Sequence, residues 1–147
     1  HPNATRPWQH VLEPLSGYLD LGANLFNSPK LNGFSFNFGP NQSDTKNVEE
    51  LINDLAEFWN FKKTDRLYKV TSNNLFYEST LLKLNCDKAL FYLDWKATLT
   101  YLQTVDLTGT WYNEYFSNND NLYEFTLTQI EKYFEIAKIN KIKWTEY

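Results

Sequence analysis

Leu12, Leu15, Leu19, Gly22, Ala23 and Phe26 recur at three- and four-residue steps, the period of one face of an α-helix. Pro14 falls where a first helical turn tolerates a missing N–H, and Asn27-Ser28-Pro29 supplies a stop. The spacing therefore predicts an amphipathic helix over residues 13–26. No other stretch of the chain constrains its fold as strongly.

The remaining segments alternate in kind. "GFSFNF" (residues 33–38) has the two-residue period of a strand and is broken by "GPNQSD". Asn47 and Glu50 form a capping-box pattern ahead of Val48, Leu51, Ile52, Leu55, Phe58 and Trp59, which mark a second helix. Residues 1–7 read as coil, 8–11 as a short strand, 67–71 as a strand followed by a turn at 72–74, and 81–84 as an extended segment. Helices are expected over 86–93 and 98–116, with Gly109 weakening the latter by about 1 kcal/mol relative to alanine. A loop at 117–121 precedes a last helix that Thr126 and Gln129 would cap. Alternating short strands and helices indicate an α/β fold in one domain of 147 residues.

Composition excludes some function classes. A net charge of −4 argues against a non-specific nucleic-acid binder, which needs a basic face. No apolar run approaches the ~20 residues of a membrane span. Cys86 is the single cysteine, so no internal disulfide can form, which favours a reducing, cytoplasmic setting. The chain has no methionine and begins His-Pro-Asn-Ala, and the expectation is of part of a larger enzyme. Sequons at Asn3 and Asn41 match the rate expected by chance among 17 asparagines.

The residues that could carry chemistry cluster near the start. Arg6 offers a planar fork that matches phosphate oxygens at any working pH, and Gln9 and His10 could add hydrogen bonds. By residue type alone, Arg6 reads first as a surface arginine beside a structural tryptophan, and His10 as a satisfied structural histidine. Glu78, in "NNLFYEST", could accept two sugar hydroxyls or be a solvated loop carboxylate. Asn37 reads as a bridge between backbone groups. The chain carries no glycine-rich strand-turn-helix fingerprint for a dinucleotide, no Cys/His spacing for a metal, no G-x-S-x-G and no P-loop. The expectation is that the catalytic tyrosine–lysine pair of a hydride-transfer enzyme is also missing, since Tyr68 and Lys69 are adjacent rather than a helical turn apart.

Taken in order, "RPWQHV" leading into "LEPLSGYLDLG", then "FNFGP", "LLKLNCDKALFYLDWK", "TGTWYNEYF" and "EFTLTQIEKYF" resemble the C-terminal half of the extended short-chain dehydrogenase/reductases. Within that superfamily the first motif and the tail are similar to the CDP-glucose 4,6-dehydratases. The resemblance implies that residues 1–147 are a sugar-nucleotide-binding half, with one strand and some helices completing the sheet of a Rossmann half that holds NAD outside this chain. It implies that Arg6 grips the diphosphate of CDP-glucose, that Glu78 meets the ribose hydroxyls, and that Trp8, Gln9 and His10 shape the pocket wall. The implied reaction oxidises C4 of the glucose, eliminates water across C5 and C6 and reduces C6, in deoxysugar and O-antigen synthesis. A homo-oligomer is implied for the full-length enzyme. An apolar face is expected to be exposed on residues 33–38 and on helix 13–26, where the other half would pack. The chain departs from the family pattern at Tyr77, Asn85, Asp87, Asp94–Ala97 and Gly109. The alternatives are another NAD-dependent sugar-nucleotide enzyme of the superfamily, or a truncated, non-catalytic interaction module.

Overall fold

The computed structural model describes residues 1–61, 66–71, 79–117 and 120–146. The chain runs through β1 (Thr5–Arg6), α1 (Leu12–Asn27), β2 (Lys46–Asn47), α2 (Val48–Ala56), α3 (Asp87–Leu93), α4 (Tyr101–Phe116) and α5 (Leu122–Ile139). Single 3-10 turns occur at Pro29–Leu31, Glu57–Trp59 and Lys143–Glu146. The result is a mixed structure dominated by helices, with one small antiparallel sheet that pairs Thr5 with Asn47 and Arg6 with Lys46. An isolated parallel bridge joins Thr5 to Leu81.

Helix α1 confirms the period of its sequence and reverses the expected direction of its stripe. The residues it buries are Glu13, Ser16, Gly17 and Asp20, whereas Leu19 and Phe26 are 76% and 92% exposed and Leu15 is exposed as well. The cause is a set of hydrogen bonds that the side chain at position 13 accepts from across the core. Glu13, 1% exposed, accepts from the backbone N–H of Thr98 (3.0 Å to each carboxylate oxygen) and from that of Leu99 (2.7 Å). The Tyr133 hydroxyl lies 3.1 Å from both Glu13 Oε2 and Ser16 Oγ, and the Trp95 indole donates to Ser16 Oγ at 3.2 Å. Two backbone N–H groups that precede α4, which would be orphans inside the protein, are thus satisfied from another helix. Ring contacts close the core around this polar knot. Phe38 and Trp95 meet edge to face at 4.9 Å, and Leu99, Leu107 and Tyr133 form a second buried cluster.

The caps decide where helices start. Asn47 accepts from the Glu50 N–H at 2.8 Å and Glu50 accepts from the Asn47 N–H at 2.9 Å, a reciprocal capping box at α2. Helix α4 begins at Tyr101 rather than near 98. Thr98 and Leu99 donate to Glu13, and Thr100 and Gln103 form the capping box. In α5 the expected cap is not one. The helix starts at Leu122, so Thr126 lies inside it, donating to the Leu122 carbonyl (2.8 Å) and accepting from the Trp111 indole (2.9 Å). Gln129 is buried and donates to the Leu107 carbonyl at 2.9 Å, tying α5 to α4. Gly109 has a packing reason, because a Cβ there would lie 2.4 Å from the Phe58 ring.

The expected strands are the main corrections. Gly33 lies in a turn, and residues 34–38 form no strand. Asn37 instead donates its side-chain amide to the Asn85 carbonyl at 3.1 Å, and the aromatic rings pack inward from Phe36 to Phe38 to Trp95. Strand pairing moves from 8–11 to Thr5–Arg6, because Pro7 has no N–H to continue a ladder. Residues 67–71 form no strand, 81–84 keep only the Leu81 bridge, and the turn at 72–74 lies outside the described residues.

Glu13→Ala should destabilise the fold by ~2–5 kcal/mol in chemical denaturation, since it strands two buried N–H groups. Glu13→Gln should cost far less, because the amide oxygen can accept both N–H groups while its NH2 faces Tyr133. Burial raises the Glu13 carboxyl above its ordinary value, against the opposing hydrogen bonds from Thr98, Leu99 and Tyr133. A raised folded-state value means that its contribution to stability is fully present at low pH and is lost as the pH rises through that value. Glu13→Gln should remove this part of the pH profile. Gly109→Ala should destabilise by ~1–3 kcal/mol through the clash with Phe58, more than the helix propensity it gains.

Candidate functional site

The segment from Arg6 to His10 links β1 to α1, and each of its polar side chains is held. Arg6 sits half-buried in β1, flanked by β2 on one side and the Leu81 bridge on the other. Its Nη1 donates to the Thr5 carbonyl at 2.7 Å and to the Ser79 carbonyl at 3.1 Å. The Trp8 indole donates to the Lys46 carbonyl at 3.0 Å. Gln9 donates to the Phe38 carbonyl at 3.2 Å, while its buried Oε1 has no hydrogen-bond partner among the described residues. His10 Nδ1 accepts from the Leu12 N–H at 3.4 Å. Glu78, the fifth residue expected at the site, lies outside the described residues.

These residues open onto two different recesses. Arg6 and Pro7 line a shallow cleft of about 20 Å³, completed by residues 40–42, 44 and 45 and by Leu82, Lys83 and Leu84. Its volume suits about one water molecule, so an anion bound there would lie across the mouth. Gln9 and His10 instead border a larger apolar groove of about 490 Å³ between α1, α4 and α5, with Leu15, Trp111, Tyr112 and Ile130 on its walls. A second recess of about 470 Å³ shares Leu15 and Ile130 and continues past Leu19 and Phe134. The single wall expected from "RPWQH" is therefore divided, with Arg6 on one side of the segment and Gln9 and His10 on the other. Lys83, Asn41 and Gln42 share the Arg6 cleft, and no local sequence signal could have placed them there, because they come from segments more than thirty residues away.

The exposed apolar surface on α1 continues onto α5 through Ile130 and Phe134. On residues 33–38 the expected exposure is partial, with Phe34 exposed and Phe38 buried. Another correction concerns tyrosine and lysine. Tyr92 and Lys96 do have the four-residue spacing, which the reading of Tyr68 and Lys69 passes over. Helix α3 ends at Leu93, and Asp94 turns the chain with φ 53°, so Tyr92 and Lys96 do not share a helical face. Among the described residues no group of His, Cys, Asp and Glu could hold a metal ion, and no helix is long and apolar enough to cross a membrane.

Burial lowers the His10 pKa from its ordinary value, so the imidazole is held neutral near pH 7. Titration of its ring protons by NMR should give a midpoint below 6.5. A depressed value means that the unfolded chain takes up the proton first. Stability should therefore fall as the pH drops below the unfolded value, and His10→Gln should reduce that loss.

No protein-family model matches the chain. A search of curated proteins finds CDP-glucose 4,6-dehydratase of Salmonella typhimurium, 32% identical over 122 residues. The match covers 83% of this chain and 33% of that protein, so the chain spans about a third of the length of the curated relative. The resemblance carried by "RPWQHV", "LLKLNCDKALFYLDWK" and "EFTLTQIEKYF" thus has independent support: over most of its own length, this chain is similar to a CDP-glucose 4,6-dehydratase.

Proposed function

We propose that this chain forms the substrate-binding part of a sugar-nucleotide dehydratase that converts CDP-glucose to CDP-4-keto-6-deoxyglucose. In this reading Arg6 holds the diphosphate through its guanidinium. Glu78 receives the ribose hydroxyls, and Trp8, Gln9 and His10 brace the segment that carries Arg6. The observation that carries the proposal is the contact between Arg6 Nη1 and the Ser79 carbonyl at 3.1 Å. It brings the cation to the residue that follows Glu78 across 73 positions of sequence. A guanidinium there is charged at every relevant pH and matches a diphosphate with paired donors.

NAD does not fit the residues of this chain. Its sequence has no glycine-rich turn between a strand and a helix to admit a pyrophosphate, and the tyrosine–lysine spacing at Tyr92 and Lys96 is broken by the end of α3. The cofactor and the acid–base groups of the reaction are therefore assigned to residues beyond these 147, and no chemical step is derived for residues of this chain. Their part is to bind and orient the nucleotide sugar.

Arg6→Ala should weaken the binding of CDP-glucose by ~1.5–3 kcal/mol in calorimetric titration, the worth of a hydrogen bond to a charged group. Cytidine should bind wild type and variant alike. Unchanged affinity for CDP-glucose in the variant would remove Arg6 from the diphosphate and the proposal with it.

A further inference from the structure

We infer that Glu13 is a positioning residue for the nucleotide-sugar site: its buried carboxylate fixes the first turn of α1 and so aims the segment Arg6–His10. This inference rests on the binding role proposed above for Arg6.

The segment has two anchored ends. At its start, β1 pairs with β2 and Arg6 lies opposite Lys46. At its other end the chain enters α1, where Val11 at the cap position makes no side-chain cap hydrogen bond. The turn is held from across the core. Glu13 accepts from Thr98 and Leu99, 85 and 86 residues away, and its own backbone N–H donates to the His10 carbonyl at 3.0 Å. The Leu12 N–H reaches His10 Nδ1. The far side of this anchor is itself fixed, since Asn140 donates to the Thr98 carbonyl at 3.1 Å and Tyr133 meets the carboxylate from α5. Shifting the first turn of α1 would drag His10 and Gln9 with it. The Gln9 contact to the Phe38 carbonyl and the Trp8 contact to the Lys46 carbonyl would then have to break or follow. Glu13 touches no substrate in this account, and it acts only through the segment that carries Arg6.

The test is calorimetric titration with CDP-glucose at a temperature where circular dichroism shows each variant fully folded. Glu13→Ala should weaken binding at least ~5-fold, and Glu13→Gln, which keeps acceptors for both N–H groups, should stay within ~2-fold of wild type. Val105→Ala, a core substitution in α4 away from the segment, should lower stability and leave affinity unchanged. Wild-type affinity in folded Glu13→Ala overturns the inference, as does an equal loss of affinity in Val105→Ala. Should Glu13→Ala not fold, Glu13→Asp shortens the side chain by one methylene while keeping its charge. It should also bind ~5-fold more weakly, and wild-type affinity there overturns the inference just as firmly. A wild-type chain that does not bind CDP-glucose, or that is indifferent to Arg6→Ala, overturns the nucleotide-sugar reading itself and this inference with it.

Discussion

The carboxylate of Glu13, buried and facing the N–H groups of Thr98 and Leu99, is the constraint on which much of this structure rests. Burying a charge is costly unless hydrogen bonds replace its water. Here two backbone donors and a tyrosine hydroxyl do so. The arrangement solves a second problem, because the chain entering α4 would otherwise leave those donors unpaired in the core. Once Glu13 must point inward, Ser16, Gly17 and Asp20 follow it by helical period. Leu15 and Leu19 are then turned outward, lining the groove between α1 and α5. The apolar stripe of this helix is a surface feature because a polar residue claimed the interior.

In the segment Arg6–His10, polar side chains hold the neighbouring backbone. The indole N–H of Trp8 and the amide of Gln9 are both committed to backbone carbonyls, so these side chains hold the loop at 38–46 in place. Arg6 divides its donors, with one nitrogen fixed by the carbonyls of Thr5 and Ser79. A guanidinium has five N–H donors, and fixing one edge of the fork orients its plane. His10, neutral through burial, contributes no charge to its groove.

The chain is similar to a CDP-glucose 4,6-dehydratase over a third of that protein's length. The large exposed side chains on α1 and α5, such as Leu19 and Phe26, form the sort of apolar surface that soluble domains seldom leave open. Two of the residues singled out in the sequence have local reasons. Gly109 admits the Phe58 ring, and Asp94 takes the left-handed turn that ends α3.

Helix periods were legible in the sequence, and so was the cap at α2, because both depend on residues within a turn or two of each other. Asn47 and Glu50 meet whatever the rest of the chain does. The order of "RPWQHV" with the later motifs pointed to the relative. The facing of α1 could not be read, since it depends on Thr98 and Leu99, which lie 85 and 86 residues from Glu13. Nor could the state of "GFSFNF". Its alternation is that of a strand, but a strand needs a partner, and Asn37 bonds to Asn85 in place of one. Thr126 and Gln129 have the spacing of a cap yet are spent joining α5 to α4. Local spacing settled what each segment could become; which groups were left to satisfy in the interior decided which way each one faced.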